Sequence, residues 1–236
     1  MKYQILRSFL AIVAFFAFAF ISWSGVTTSA QKSRLTDNPK LSFLTASPAA
    51  VFTNPAPITV LDASPASLYP SNISVTGMSG TVTDVNVTIN GFAHTWPDDL
   101  GILLVSPSGR QMVVQSDVGG GTPVTGRTYT FDDQAAAGIP NSGPMPANNT
   151  SVKPSSVNDD EFFPGPAPDA PYNQPAPAGT STLNGIFGGD APNGDWKLYI
   201  IDCCAQDEGN IAGGWSIEIT TGAGGPTPTP TPAGPT

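Results

Sequence analysis

Short segments in which apolar and polar residues alternate follow one another through the middle of this chain. Val85, Val87 and Ile89 alternate with polar residues in one of them, and a period of two residues is typical of a β-strand with one buried face. Residues 102–105 form a continuous apolar run instead, which favours a strand buried on both faces. No segment of this region has a convincing apolar period of 3.6 residues, so the pattern favours an all-β fold.

About eight strands are expected, because the alternating segments are separated by Gly, Pro, Asn and Asp. They cover residues 58–61, 72–76, 83–90, 102–105, 111–115, 127–131 and 195–202, and the segment with Trp215, Ile217 and Ile219. Many short strands joined by turns predict a sandwich or a barrel. Residues 138–180 are rich in proline and poor in β-branched side chains, and we expect them to form a long surface loop that wraps one edge.

The amino-terminal residues have the pattern of an export signal. Lys2 and Arg7 precede an apolar run at residues 9–21, and small residues up to Ala30 follow it, as in a signal peptide cleaved before Gln31. The run is shorter than the roughly 20 residues of a membrane-spanning helix, and an uncleaved anchor remains as the alternative. The predicted location is therefore extracellular or in the cell envelope, with no membrane attachment once the leader is removed.

Composition divides the remaining chain into three parts. Residues 31–56 are polar, rich in Ala and Pro and aperiodic, which predicts a flexible lead-in. Residues 57–221 contain the predicted strands and are expected to form one domain. Residues 222–236 carry a Gly-rich stretch and a Thr-Pro repeat, and such a composition predicts an extended tail.

The chain is strongly acidic. Its formal net charge is −9, and loss of the predicted leader would remove basic groups only. We expect no nucleic-acid binding, because such binding needs a basic surface that displaces counterions. Acidity favours cations as ligands, and acidic extracellular domains often hold Ca²⁺ with carboxylates, although solubility alone would also explain the charge.

The two cysteines, Cys203 and Cys204, are adjacent. Neighbouring residues of an extended strand point to opposite faces, so an ordinary disulfide between them would need a distorted ring. A redox-sensitive disulfide between neighbours, a pair of ligands for a soft metal and two thiols in a turn all remain open. Two thiols in a turn after a strand are our expectation.

The motifs of common enzyme classes are missing. His94 is the only histidine, no Gly-x-Ser-x-Gly elbow occurs, and Gly119-Gly120-Gly121 lacks the lysine of a phosphate-binding loop. Adjacent cysteines also lack the spacing of a tetrahedral zinc site. We therefore expect no enzyme activity and a structural His94 that packs at the head of a strand. A glycosidase remains the alternative, since it needs only two facing carboxylates.

Four short motifs in a fixed order resemble a known family. They are His94-Thr95 with Asp99-Leu100 after it, the turn Ser106-Pro-Ser-Gly109, the run Asn193-Gly-Asp-Trp196-Lys-Leu198 with Asp202 after it, and Gly214-Trp215-Ser216. Together they resemble the P domain, or P/Homo B domain, that follows the catalytic domain of subtilisin-like proprotein convertases and occurs in bacterial secreted proteins. The resemblance covers about residues 57–221.

The resemblance implies a jelly-roll β-sandwich, similar to a galactose-binding domain, which acts as an accessory module. In the family this module stabilises and regulates a neighbouring serine endopeptidase. The implied partner is therefore another exported protein, such as a protease. No protease catalytic domain accompanies the module in this sequence, so a proteolytic activity does not follow from the resemblance.

Several aspartates stand at the ends of predicted strands, where they could converge on one rim of a sandwich. Some members of the family bind calcium, and we predict a Ca²⁺ site from Asp117, Asp132 and Asp133, with Asp98 as a further ligand. No EF-hand spacing is present, and the alternative is that these acids form turns and caps.

The tryptophans point to a second kind of ligand. Trp196 and Trp215 are in phase with apolar strand residues, so both are predicted in the core. Trp96 lies on a predicted loop and is the one candidate for stacking on a sugar. A carbohydrate-binding jelly roll is therefore the alternative function.

Overall fold

A computed structural model describes residues 48–222 of the chain. The predicted signal peptide, most of the predicted lead-in and almost all of the predicted tail lie outside these residues. No helix within the described part is long and apolar enough to cross a bilayer.

Two β-sheets pack face to face, so the prediction of an all-β sandwich is confirmed. The strands are β1 (Ala49–Asn54), β2 (Ile58–Val60), β3 (Ser71–Val75), β4 (Thr81–His94), β5 (Leu100–Val105), β6 (Gln111–Ser116), β7 (Val124–Phe131), β8 (Thr150–Val152), β9 (Ser155–Ser156), β10 (Gly194–Asp202), β11 (Gly209–Ile211) and β12 (Trp215–Gly222). One sheet has the order β1-β12-β4-β11-β2, with β7 and β8 joined to it through β4, and the other has the order β3-β10-β5-β6-β9. The chain passes between the sheets repeatedly, as expected of a jelly roll.

The main core lies between the two sheets. Val85, Val87 and Ile89 of β4 are fully buried in it, as the alternation in the sequence predicted. Trp196 and Trp215 are also fully buried, which confirms both as core residues. Each indole N–H is satisfied, because Trp196 Nε1 donates to Pro192 O at 3.0 Å and Trp215 Nε1 donates to a serine hydroxyl.

A second, smaller core covers the outer face of the sheet that contains β5. Leu103 and Val105 point into it and meet Phe163 and Tyr172 from the segment 138–180. All six residues of β5 are therefore buried, as its continuous apolar run predicted. The proline-rich segment covers a sheet face as well as an edge, so it stabilises the sandwich in addition to wrapping it.

The structure departs from the sequence-based expectation in its short elements. β1 lies within the predicted lead-in 31–56 and pairs along its whole length with β12, so the sandwich begins at Ala49. Its only large apolar side chain that packs on the core is Phe52, which left a weak periodic signal. β8, β9, β11 and a one-turn helix α1 (Leu183–Phe187) are too short to show a period at all.

Candidate functional site at the acidic end of the sandwich

Pairing within one sheet brings three loops to the same end of the sandwich. Leu100, the first residue of β5, pairs with Asp202, the last residue of β10. Ile102 pairs with Gln115 near the end of β6. The residues before β5, after β6 and after β10 therefore meet at one rim, because antiparallel neighbours place alternate ends side by side.

Eight carboxylates gather at this rim, which we call the acidic end. They are Asp62, Asp98, Asp99, Asp117, Asp160, Glu161, Asp202 and Asp207. Each lies close enough to another carboxylate of the group for the two charges to repel each other, and four of them line one cleft. Within residues 48–222 the close pairs of basic and acidic side chains are His94–Asp202 and Arg110–Asp190, so no Lys or Arg pairs with this group there. Like charges held together in this way favour a bound cation.

Asp98 and Asp117, two of the predicted calcium ligands, lie together at the acidic end. Burial raises the pKa of Asp98, the Asp117 charge raises it further, and the Gly120 N–H partly lowers it. The Oδ1 atom of Asp98 is buried and has no hydrogen-bond partner. Asp117 has a left-handed backbone with φ of 53°, a conformation that is uncommon outside glycine and recurs at binding sites.

Glu161 completes this group from the proline-rich segment. Ser116 Oγ lies 2.7 Å from Glu161 Oε1 and 3.1 Å from Asp117 Oδ2, so one hydroxyl bridges the two carboxylates. The carboxylate rests on Gly101 of β5, where an added Cβ would lie 2.7 Å from Glu161 Oε2. Burial raises the pKa of Glu161 to about 7, although the hydrogen bond from Ser116 acts to lower it.

This raised pKa predicts that the domain loses stability as the pH rises. The folded state binds the Glu161 proton more tightly than the unfolded chain, so the free energy of unfolding falls between about pH 4.5 and pH 7. In chelator, Glu161→Gln should leave stability unchanged at pH 4 and raise it by about 3 kcal/mol at pH 8. Urea unfolding at both pH values measures the difference, and an equal effect at both would contradict the assignment.

His94 is buried next to the acidic end. Its Nε2 lies 3.2 Å from Asp202 Oδ2, and its Nδ1 lies 2.9 Å from the carbonyl oxygen of Trp96. Burial raises the pKa of Asp202, while the Cys204 N–H and His94 oppose that rise. Both ring nitrogens therefore have protein neighbours, and neither faces a serine that it could activate. His94 packs at the end of β4, where its ring stacks on Phe92.

Cys203 and Cys204 form a disulfide with each other, so the expectation of two free thiols is wrong. The expected turn after a strand is confirmed, since β10 ends at Asp202 and both cysteines follow it. The argument against a disulfide assumed opposite side-chain directions along a strand, which do not apply in this turn. The turn is adjacent to Asp99, whose pKa is raised to about 6 by burial and by Asp202, Asp207 and Asp98. One Asp99 oxygen and the two sulfurs lie within 4.8 Å of one another.

Asp132 and Asp133, the other two predicted calcium ligands, have structural contacts. Asp132 Oδ1 accepts from the Gln134 N–H at 2.7 Å in a tight turn. Asp133 accepts from the backbone N–H groups of Leu183 and Asn184 and so holds the start of α1. The four predicted aspartates do not form one close group in the described part of the chain, where Asp99 with the two cysteines is the only such group of three.

An open cleft of about 490 Å³ runs into the acidic end. Asp117, Asp160, Glu161 and Asp202 line it together with the disulfide, and its apolar wall includes Phe162, Pro164 and Ile201. Outside this cleft, Trp96 is 46% exposed and its ring packs over Gly121 in the loop after β6. The arrangement combines concentrated negative charge with exposed aromatic surface, which suits a cation or a cationic ligand.

Asp99, Asp202 and Asp207 are among the strand-end aspartates expected to converge at a rim, but they were not predicted as ligands, and Glu161 was missed. Asp99 and Asp202 belong to the family motifs, and that signal could have selected them. Glu161 gives no local signal, because it reaches the site from a proline-rich segment far from β5 and β6 in the sequence.

Comparisons with known proteins found similarity to solved structures. The chain is similar to the crystal structure of a serine protease of Aeromonas sobria, with 12% identity, a TM-score of 0.36 and coverage of 74% of this chain and 26% of that chain. It is also similar to the crystal structure of the Aeromonas sobria serine protease in complex with the chaperone ORF2, with 14% identity, a TM-score of 0.35 and coverage of 75% and 27%. This chain thus spans about a quarter of the length of those chains. No protein-family model matches it, and no curated protein matches it.

Proposed function

We propose that the chain is an exported, non-catalytic β-sandwich module that binds and stabilises another exported protein, and that Ca²⁺ at its acidic end supports this binding. The observation that carries the proposal is the gathering of eight carboxylates at one rim of the sandwich. The four ordered motifs that resemble a P domain make a serine endopeptidase the expected kind of partner.

We assign Ca²⁺ to three residues of the acidic end, whose ligand oxygens do not all lie within 4.8 Å of one another in the described part and would have to move together around the ion. Asp98, Asp117 and Glu161 offer carboxylate oxygens, the ligand type that Ca²⁺ prefers. The buried Oδ1 of Asp98 lacks any hydrogen-bond partner, and a cation there would offset the cost of its burial. A bound ion would neutralise the repulsion between these groups and so hold the loops before β5 and after β6 in place.

Binding is a better reading of the site than catalysis. Neither nitrogen of His94 is free to act as a general base toward a serine, and the cysteines are joined in a disulfide. The bridged carboxylates Asp117 and Glu161 could serve a hydrolase, but the apolar cleft wall and the wider group of acids suit a bound partner equally well and need no reaction.

The test compares melting and partner capture with Ca²⁺ and with chelator. We expect millimolar Ca²⁺ to raise the melting temperature by roughly 5 °C, since a ligand at 10 to 100 times its Kd adds about 1.4 to 2.7 kcal/mol. Capture of a protein from the culture supernatant should weaken in chelator to the same degree.

Variants separate this site from the rest of the molecule. Asp117→Asn should abolish the Ca²⁺-induced rise and weaken capture, whereas Asp132→Asn, a matched control outside the acidic end, should change neither. Calcium-independent melting and capture that persists in Asp117→Asn would both contradict the proposal.

Carbohydrate binding is the second candidate, and the exposure of Trp96 favours it. A half-exposed indole ring can stack on a sugar while neighbouring carboxylates accept hydrogen bonds from the sugar hydroxyl groups. A glycan array with wild type and Trp96→Ala decides between the two candidates, because only a sugar-binding module would lose a glycan signal in the variant.

A further inference from the structure

Two hydrogen bonds that do not involve sulfur hold the turn that carries Cys203 and Cys204. Cys203 N donates to Asp99 O at 3.0 Å, and Cys204 N donates to Asp202 Oδ1 at 2.9 Å. Both cysteines are exposed on the surface and border the cleft at the acidic end. The backbone of the two cysteines is therefore held by hydrogen bonds that the disulfide does not supply.

The same turn places three metal-ligating atoms together. The two sulfurs and one Asp99 carboxylate oxygen lie within 4.8 Å of one another. Adjacent cysteines lack the usual spacing of a zinc site, but here both lie beyond the end of β10. In this turn two thiolates and a carboxylate, with water in the fourth position, suit the tetrahedral preference of Zn²⁺ and its softer relative Cd²⁺. In the disulfide form the sulfurs are not thiolates, and the thiolate is the form that binds metal.

We propose that Cys203, Cys204 and Asp99 form a redox-gated site for a thiophilic divalent cation. A dithiol reductant delivers two electrons and two protons to the Cys203–Cys204 bond, which breaks into two thiols while the reductant becomes a cyclic disulfide. The cation then forms two metal–sulfur bonds and one bond to Asp99 oxygen, and the two thiol protons pass to solvent. The acidic end compensates the charge of the incoming cation.

We expect the fold to survive reduction of the disulfide, so the two thiols can become available to a metal ion in the native domain. A disulfide between adjacent residues closes almost no loop, and the entropy that a disulfide removes from the unfolded chain grows with loop length. The turn also keeps its two backbone hydrogen bonds.

The experiment titrates CdCl₂ into the full chain before and after treatment with a dithiol and its removal. The readout is the ultraviolet charge-transfer band of a cadmium–thiolate bond, which ions bound to carboxylates alone do not produce. We expect one Cd²⁺ per reduced chain, no band in the oxidised chain, and loss of the band in Cys203→Ser and in Cys204→Ser.

Asp99→Asn tests the third ligand. It should weaken Cd²⁺ binding by about tenfold or more, while Asp169→Asn, which removes the same charge from an exposed loop outside the acidic end, should leave binding unchanged. Circular dichroism of each reduced protein establishes that it is folded, and reduced protein in urea gives the affinity of the unfolded chain. Equal affinity in folded and unfolded chains, or an unaltered affinity in Asp99→Asn, would overturn the site.

This site is separate from the proposed calcium site. Ca²⁺ binding is measured on the oxidised chain and depends on Asp117, whereas Cd²⁺ binding needs reduction and depends on the cysteines. Either proposal can therefore fail while the other stands.

Discussion

Trp196→Ala should lower the free energy of unfolding by about 4 kcal/mol, the largest effect that we expect from a single substitution in this domain. Trp196 is fully buried in the main core, and its ring meets Phe187 of α1 edge to face at a centroid distance of 5.3 Å. Its removal would leave a large cavity and an unsatisfied Pro192 carbonyl group. Urea unfolding at neutral pH measures the loss.

Trp96→Ala is the matched control, because it makes the same change on a half-exposed ring. We expect it to cost less than about 1 kcal/mol. Similar losses in the two variants would contradict the assignment of Trp196 to the main core and of Trp96 to the surface.

Asp202→Ala should lower the free energy of unfolding by about 3 kcal/mol. Asp202 is buried and faces His94 at 3.2 Å, while its other oxygen accepts from the Cys204 N–H. Its loss leaves a buried imidazole and a backbone N–H without a partner, and unpaired buried polar groups are costly. Chemical denaturation near pH 7 checks the value.

Asp62→Ala provides the control at the same end of the molecule. Asp62 also accepts one backbone bond, from Gln206 N, but its side chain is exposed. We expect a loss below about 1 kcal/mol, because water replaces the missing acceptor. An equal loss in the two variants would show that burial of the His94–Asp202 pair is not what makes Asp202 important.

The long strands and the main core could be predicted from local pattern. The alternation around Val87 and the run at residues 102–105 each reported which faces of a strand are buried, since side chains on a strand alternate. The very short strands β8, β9 and β11 could not be predicted, because they form only where a neighbouring strand supplies hydrogen bonds.

Only two of the four predicted calcium ligands lie at the candidate site, and the reason is related. Asp98 and Asp117 flank strands that pair through β5 and β6, so counting strand ends selected both. Asp133 follows a strand in the same way, yet it caps α1. The local pattern is the same in both cases, and the helix that uses Asp133 comes 50 residues later in the chain.

By itself, the alternation of short apolar segments with Gly- and Pro-rich turns determined that this chain forms an all-β sandwich. Only the tertiary structure decided that Glu161 joins Asp117 across Ser116, that Cys203 and Cys204 turn toward each other, and that Asp202 pairs with His94. The physical reason is that hydrophobic period is a property of neighbouring residues, whereas a site depends on which loops the sheet brings together at one rim.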